Sequence, residues 1–374
     1  MKRVAWLLIL MVGCIDPYMP PEIKPAGALL VINGHIDVNS KSIIKLTRSQ
    51  NLFENEESEK VNNASVWLED ENGLTYPLEE EGNGIYSLIP QVFAQVKHRL
   101  NVKTEDQKKY SSEFVELKNS PPIDSVSWEV TSESGVAIYV NTHSPETNTG
   151  YYRWKFEETW LYRSAYPSDY IYNNDTHAVD FRQGNIYECW RSKSSSDVLI
   201  SSTSRLSKNV IRKFPLTMIE QRDERLKLTY SILVKQYSIT EAAFLYWKQL
   251  EKTTEDLGTI FSPMPSQVKG NFLCTSNLKE NVLGYFSMGA SSETRIFISS
   301  LELPNPTTYN TYYKDCILRE LMNADVPFFA GPYIIVGEIR NPRGPGAIGY
   351  YFTTIPCADC RVAGGTNIKP DFWP

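Results

Sequence analysis

Apolar and polar residues alternate one by one along most of this chain, in short runs cut by turn signals at about ten-residue spacing. Successive side chains of a strand point to opposite faces, so this period builds sheets with one buried face. Residues 151–163 carry the longest example. Tyr152, Trp154, Phe156, Trp160 and Tyr162 share one parity, and Arg153, Lys155, Glu157 and Thr159 share the other. Leu226, Leu228, Tyr230, Ile232 and Val234 repeat the logic.

Shorter runs fill residues 27–118. Ala28–Val38 reads as a strand pair broken at Asn33-Gly34, and Ser42–Arg48 and Ala64–Glu71 as single strands. Asn72-Gly73 is the clearest hairpin signal, and Gly82-Asn83-Gly84 turns into Ile85–Ile89. Val96–Lys103 and Glu113–Leu117 complete a β-sandwich. Asn119–Ile123 reads as a linker. Asp124–Thr131 and Val136–Thr142 then open a second sandwich. A single helix is expected at about 240–257, entered through a Ser238/Glu241 capping box, with Phe244, Trp247, Leu250 and Leu257 on one face and Gly258 beyond. Its stripe fits packing on a sheet. Residues 164–185 read as a long exposed loop. The expected fold class is mainly β: two Ig-like or related β-sandwich domains, 27–118 and 119–374, the second with the helical insertion and a cysteine-containing tail.

Among 374 residues there are 22 Tyr, 15 Phe and 8 Trp, enough to build cores and to exclude a disordered chain. The net charge of −6 argues against a nucleic-acid partner, which calls for a basic stripe.

No motif points to catalysis or to a cofactor. His35, His98, His143 and His177 are scattered, and no H-E-x-x-H or G-x-S-x-G occurs. Gly344-Pro345-Gly346-Ala347-Ile348-Gly349 has the spacing of a dinucleotide loop, but a strand follows where phosphate binding needs a helix N-terminus. It reads as a hairpin turn. Glu79–Glu81 and the Glu54/Glu56/Glu57 group read as solvated loop charge, and no metal is expected. Beyond Cys14, the cysteines are Cys189, Cys274, Cys316, Cys357 and Cys360. Cys357-x-x-Cys360 has no second pair for zinc and no βαβ context for redox work, so it reads as a structural clip. A bridge from Cys316 to Cys357 or Cys360 is expected, with Cys189–Cys274 as a second; five cysteines leave at least one free or differently paired.

The first fourteen residues, MKRVAWLLILMVGC, give two basic residues, a short apolar run, then Gly13 and Cys14. The run is too short to span a bilayer, and no other segment qualifies. The end of this stretch resembles the lipobox of bacterial lipoproteins. That resemblance implies a signal peptide at 1–13, lipid on Cys14 and a proline-rich tether through residue 26. Acyl chains anchor by burying about 0.8 kcal/mol per CH₂. The mature chain would hold 36 basic against 44 acidic residues, a charge of −8 that gives no attraction to anionic headgroups.

Downstream, "LLVINGHID", "NNASVWLEDENG", "GNGIYSL", "RLKLTYSILVKQYSIT", "VKGNFLCTSNLKENVLGYFSM" and "CADCRVAGGTNIKPDFW" occur in that order. Together with the lipobox they resemble domain of unknown function family 4249, outer-membrane lipoproteins of Bacteroidota. Gly270-Asn271 and Gly284-Tyr285-Phe286 carry much of the likeness. The resemblance implies an outer-membrane, lipid-anchored protein, facing either the periplasm or the cell surface and accessory to a TonB-dependent transporter in nutrient uptake. It supplies no catalytic residues. Tyr166, Tyr170, Tyr172, Phe181 and Trp190 are the candidate binding surface, since loop aromatics can stack on sugars or pack on a partner. A surface hydrolase using Asp169, Asp175 or Asp180, or an adhesion module, are the alternative readings.

Overall fold

The computed structural model describes residues 28–50, 57–132, 135–145, 149–255, 268–304, 313 and 315–374. Cys14, the tether, Glu54, Glu56, Leu257 and Gly258 lie outside the described residues.

In chain order, the first strands are β1 (Leu30–Asp37), β2 (Ser42–Arg48), β3 (Ser65–Asp70), β4 (Thr75–Pro77), β5 (Glu79–Gly82), β6 (Ile85–Leu88), β7 (His98–Lys103), β8 (Lys109–Ser112) and β9 (Leu117–Asn119). β10 (Ile123–Val130), β11 (Val136–His143), β12 (Tyr151–Arg163), β13 (Tyr170–Asn173), β14 (Ala178–Phe181), β15 (Glu188–Ser194), β16 (Leu199–Ser202), β17 (Val210–Ile219) and β18 (Thr229–Ser238) lead to helix α1 (Glu241–Glu255). β19 (Phe272–Cys274), β20 (Val282–Leu283), β21 (Met288–Ala290), β22 (Ser292–Ser299), β23 (Arg319–Met322), β24 (Tyr333–Arg340), β25 (Ala347–Thr354) and the short α2 (Ile355–Ala358) follow. The fold is mainly β, with several sheets and few helices.

Two sheets enclose the first core. One runs β5-β6-β2-β1-β21-β9, with β20 also on β1; the other runs β19-β8-β7-β3-β4. Leu30, Ile32, Ile36, Ile44, Leu46, Leu68 and Leu100 are fully buried between them. β1 runs unbroken through Asn33-Gly34, correcting the expected turn. Gly34 serves close approach instead: an added Cβ would lie 2.5 Å from Ile44 Cδ1 and 2.6 Å from the Ile43 carbonyl oxygen. Asn72-Gly73 does turn β3 into β4, with Gly73 at φ 86° and Asp70 Oδ1 accepting the Asn72 and Leu74 N–H groups. Glu79–Glu81 form β5 rather than a loop. They charge an exposed sheet edge, which blocks pairing with other chains.

The first unit is not confined to residues 27–118. β19 pairs with β8, β20 with β1, and β21 lies between β1 and β9, so the chain returns after residue 270. Phe272, Cys274, Val282, Phe286 and Met288 complete the core. Strands of two or three residues carry no legible alternation, and tertiary pairing decided them.

The second unit packs the sheet β10-β11-β17 against β15-β12-β18-β22. The aromatic parity of β12 points inward as expected: Tyr152, Trp154, Phe156, Trp160 and Tyr162 are buried with Tyr230, Ile232 and Val234 of β18. Trp154 Nε1 donates to Gln236 Oε1 at 2.9 Å, so this fully buried indole leaves no polar atom unpaired. Leu226 sits in a 3₁₀ turn before β18 rather than in the strand. Helix α1 starts at Glu241 behind Thr240, whose Oγ1 accepts the Ala243 N–H at 3.2 Å. Ser238 is not the cap, because β18 holds it opposite Tyr152. Ala243 and Trp247 bury the helix against β12 and β16.

A further sheet, β23-β25-β24, packs with the β13–β14 hairpin. Residues 164–185, expected as a long exposed loop, thus contain a hairpin at 170–181 that packs through Tyr170, Tyr172 and Val179, while its turn is exposed. The Gly344–Gly349 stretch turns β24 into β25, with Gly346 at φ 93°. Cys189 bonds Cys360 and Cys316 bonds Cys357. The expected Cys189–Cys274 bridge does not form: Cys274 is a free thiol buried in the first core, whereas Cys189 lies in the second. The two cysteines of the C-x-x-C segment clamp the tail to two different places.

Candidate functional site: a cavity between the first β unit and helix α1

A strand that buries one parity must place the other somewhere. Leu30, Ile32 and Ile36 of β1 face the first core, so Val31, Asn33, His35 and Asp37 face away from it. Tyr152, Trp154 and Phe156 of β12 face the second core, so Arg153 and Lys155 face away, beside Tyr237 of β18. These outward faces meet. The His35 and Tyr237 rings pack edge to face at 4.7 Å, and Asp37 accepts hydrogen bonds from Ser40 Oγ and the Ser291 N–H. Residues that sequence parity assigns to solvent therefore lie between the units.

Helix α1 closes one side of this junction and leaves a cavity of about 400 Å³. Val31 of β1, Leu250 of α1 and Leu283 of β20 give it apolar walls; Tyr246, Trp247 and Tyr285 make them aromatic. Gly284 allows this geometry. Its φ is +125°, and an added Cβ would lie 2.0 Å from the Ile32 carbonyl oxygen. The chain thus presses on β1, sending Tyr285 to the cavity and Phe286 to the core. Gly270 presses on Gly284 in turn, with 1.6 Å between a built Cβ and the Gly284 oxygen. Asn271 locks the arrangement: its Oδ1 accepts the Phe286 N–H at 2.7 Å and its Nδ2 donates to the Phe286 carbonyl at 2.9 Å. The Gly270-Asn271 and Gly284-Tyr285-Phe286 motifs are one device for shaping this wall.

The inner side is cationic and half-buried. Arg153 stacks its guanidinium 3.5 Å from the Trp247 ring centroid, and burial lowers its pKa to about 10. Burial, helped by the Arg153 charge, lowers Lys155 to about 8. Neither forms an ion pair among the described residues, whereas the neighbouring Lys235 pairs with Glu293 at 3.2 Å. Burial holds His35 neutral, lowering it to about 3 against the opposing pull of Asp37. Its Nδ1 lies 2.9 Å from Ser287 Oγ. His35 Nε2, Arg153 Nε and Trp247 Nε1 are buried with no hydrogen-bond partner among the described residues. Such groups are rare; the others among the described residues are on His98, Trp160, Trp190 and Arg191, away from the cavity.

The aromatics expected to form a binding surface do other work. Trp190 is buried in β15 under Trp373, correcting its assignment to an exposed loop. Tyr166 donates to the Cys316 carbonyl at 3.0 Å. Tyr170 packs on Phe181 and Tyr350, and Tyr172 on Phe329. Only Phe181 is largely exposed, at 71%. Asp169, Asp175 and Asp180 lie exposed on or beside the same hairpin, where Asp180 accepts from Asn173 Nδ2. Among the described residues no group of three or more His, Cys, Asp or Glu could hold a metal, and no helix is long and apolar enough to cross a membrane.

Fold and site together define a mainly β protein with an aromatic-lined cavity between its first β unit and helix α1. The chain matches the family model for Domain of unknown function DUF4249 over residues 15–295 and belongs to that family. That span contains every residue of the cavity. No curated protein matches the chain.

Proposed function

We propose that this chain is an outer-membrane lipoprotein, anchored through Cys14, that binds a small molecule at the junction of its β units as an accessory to a TonB-dependent transporter. The observation that carries the binding reading is the junction cavity. Ligand sites are concave, mostly apolar, a few hundred Å³ in size and frequent between domains, with few polar groups for orientation. The cavity of about 400 Å³, its three aromatic walls and the unpaired donors beside it fit that description. The lipobox-like N-terminus supports the anchor, and the resemblance of the sequence supports the transporter partnership.

The test is to purify the tagged, lipidated protein from its own membranes in mild detergent, then identify co-purifying proteins and small molecules by mass spectrometry. A stoichiometric barrel transporter together with a bound small molecule is the expected result. Repeated recovery of the lipoprotein alone would refute the stable-complex reading.

A further inference from the structure

We propose that Arg153 and Lys155 form an anion subsite behind the aromatic wall of the junction cavity, so that the cavity selects amphipathic ligands bearing a carboxylate. The inference rests on reading that cavity as the ligand site. Four observations lead to it. Arg153 touches Trp247 and its charge is felt at Tyr246, and both aromatics line the cavity. Arg153 and Lys155 sit side by side on β12, half-buried and without a carboxylate partner among the described residues, an arrangement that costs stability. Asn33 lines the cavity, and His35 is the next outward residue on β1. Arg153 Nε and Trp247 Nε1 are unpaired donors, and donors without acceptors suit an acceptor-only group. A carboxylate provides charge and acceptors together, and the guanidinium fork can hold it in two hydrogen bonds. The apolar walls then take the rest of the molecule.

The experiment is isothermal titration calorimetry on the full mature chain with 4-phenylbutyrate and 4-phenylbutanol, which share an apolar body and differ in the charged group. Acetate serves as the carboxylate without that body. The expected result is that phenylbutyrate binds at least tenfold more tightly than phenylbutanol, and acetate weakly or not at all. Arg153→Met and Lys155→Met should each bring phenylbutyrate down to the level of phenylbutanol measured on the same variant. Equal binding of acid and alcohol by the native chain overturns the anion subsite and leaves the cavity reading standing. Tighter acid binding that survives both substitutions also overturns it. Binding of neither aromatic probe counts against the cavity reading itself, and the subsite falls with it. Acetate binding as tightly as phenylbutyrate shows a bare ion site and refutes selection of amphipathic acids. The acid-to-alcohol ratio on the native chain decides the matter even if a variant fails to fold.

Discussion

Replacing Lys155 with Met should stabilise the protein, and the gain should shrink as the pH rises. Lys155 ionises at about 8 in the folded chain against 10.5 for a free lysine. Each pKa unit is worth about 1.4 kcal/mol, so the folded state carries about 3 kcal/mol of cost at pH 7 for keeping this ammonium charged out of water. Below pH 8 both states hold the proton and the cost is constant. Between pH 8 and 10.5 the folded state has released its proton while the unfolded chain still binds one, so native stability rises with pH through this window. At pH 9.5 only about one unit separates the pH from the unfolded value, and about 1.4 kcal/mol remains. Met keeps a similar length and apolar stem but never carries the charge. Urea unfolding of both proteins at pH 7, 8, 9 and 9.5 isolates the term, because other titrating groups cancel in the difference. The advantage of the variant should fall by about 2 kcal/mol across that range. A difference that stays flat would show that Lys155 is not desolvated as described, and the half-buried cationic floor would go with it.

Other perturbations test other parts of the account. His35 stays neutral down to about pH 3, so native stability should fall as acid protonates the unfolded chain below 6.5. About 2 kcal/mol should be lost by pH 5, and His35→Gln should remove that slope from urea titrations. Gly284→Ala combines a φ of +125° with a clash at 2.0 Å on the Ile32 oxygen; a loss of about 3 kcal/mol or more is expected by urea unfolding, and a loss under 1 kcal/mol would contradict the close approach. Removing the Cys316–Cys357 or Cys189–Cys360 bridge by paired Ala substitutions should cost about 2–5 kcal/mol, whereas Cys274→Ser, which breaks no bridge, should leave the disulfide-mapping mass spectrum unchanged.

The parts of the fold legible in the sequence are those where local chemistry and tertiary role agree. The aromatic parity of β12 points inward because both period and bulk require it. The Asn72-Gly73 and Gly344–Gly346 turns form because positive φ is cheap at glycine. Illegible parts are those where one residue type serves two ends. Gly34 reads as a turn former, yet it is there because β2 leaves no room for a Cβ. Ser238 and Thr240 both suit an N-cap, and only the pairing of Ser238 with Tyr152 decides between them. The short β19–β21 segments have no period to read, and their parallel partners lie about 250 residues away for β20 and β21 on β1. The site was hidden for a related reason. Arg153 and Lys155 occupy the polar parity of an alternating strand, which ordinarily faces water, and only the arrival of β1 and α1 encloses them. A cationic pair on a strand that a Trp-bearing helix later covers is the signal that could have found it. The exposed-loop reading of residues 164–185 drew attention instead to aromatics, of which Tyr170 and Tyr172 seat the β23-β25-β24 sheet.

The most direct test of the junction as a ligand site is native mass spectrometry of the protein drawn from its own membranes, compared with Val31→Trp, which fills the cavity from β1. The account predicts a small molecule retained by the native chain and lost from the variant, with the disulfides and fold of both intact. The same molecule held equally by both proteins, or none held by a native chain that stays folded, would contradict it.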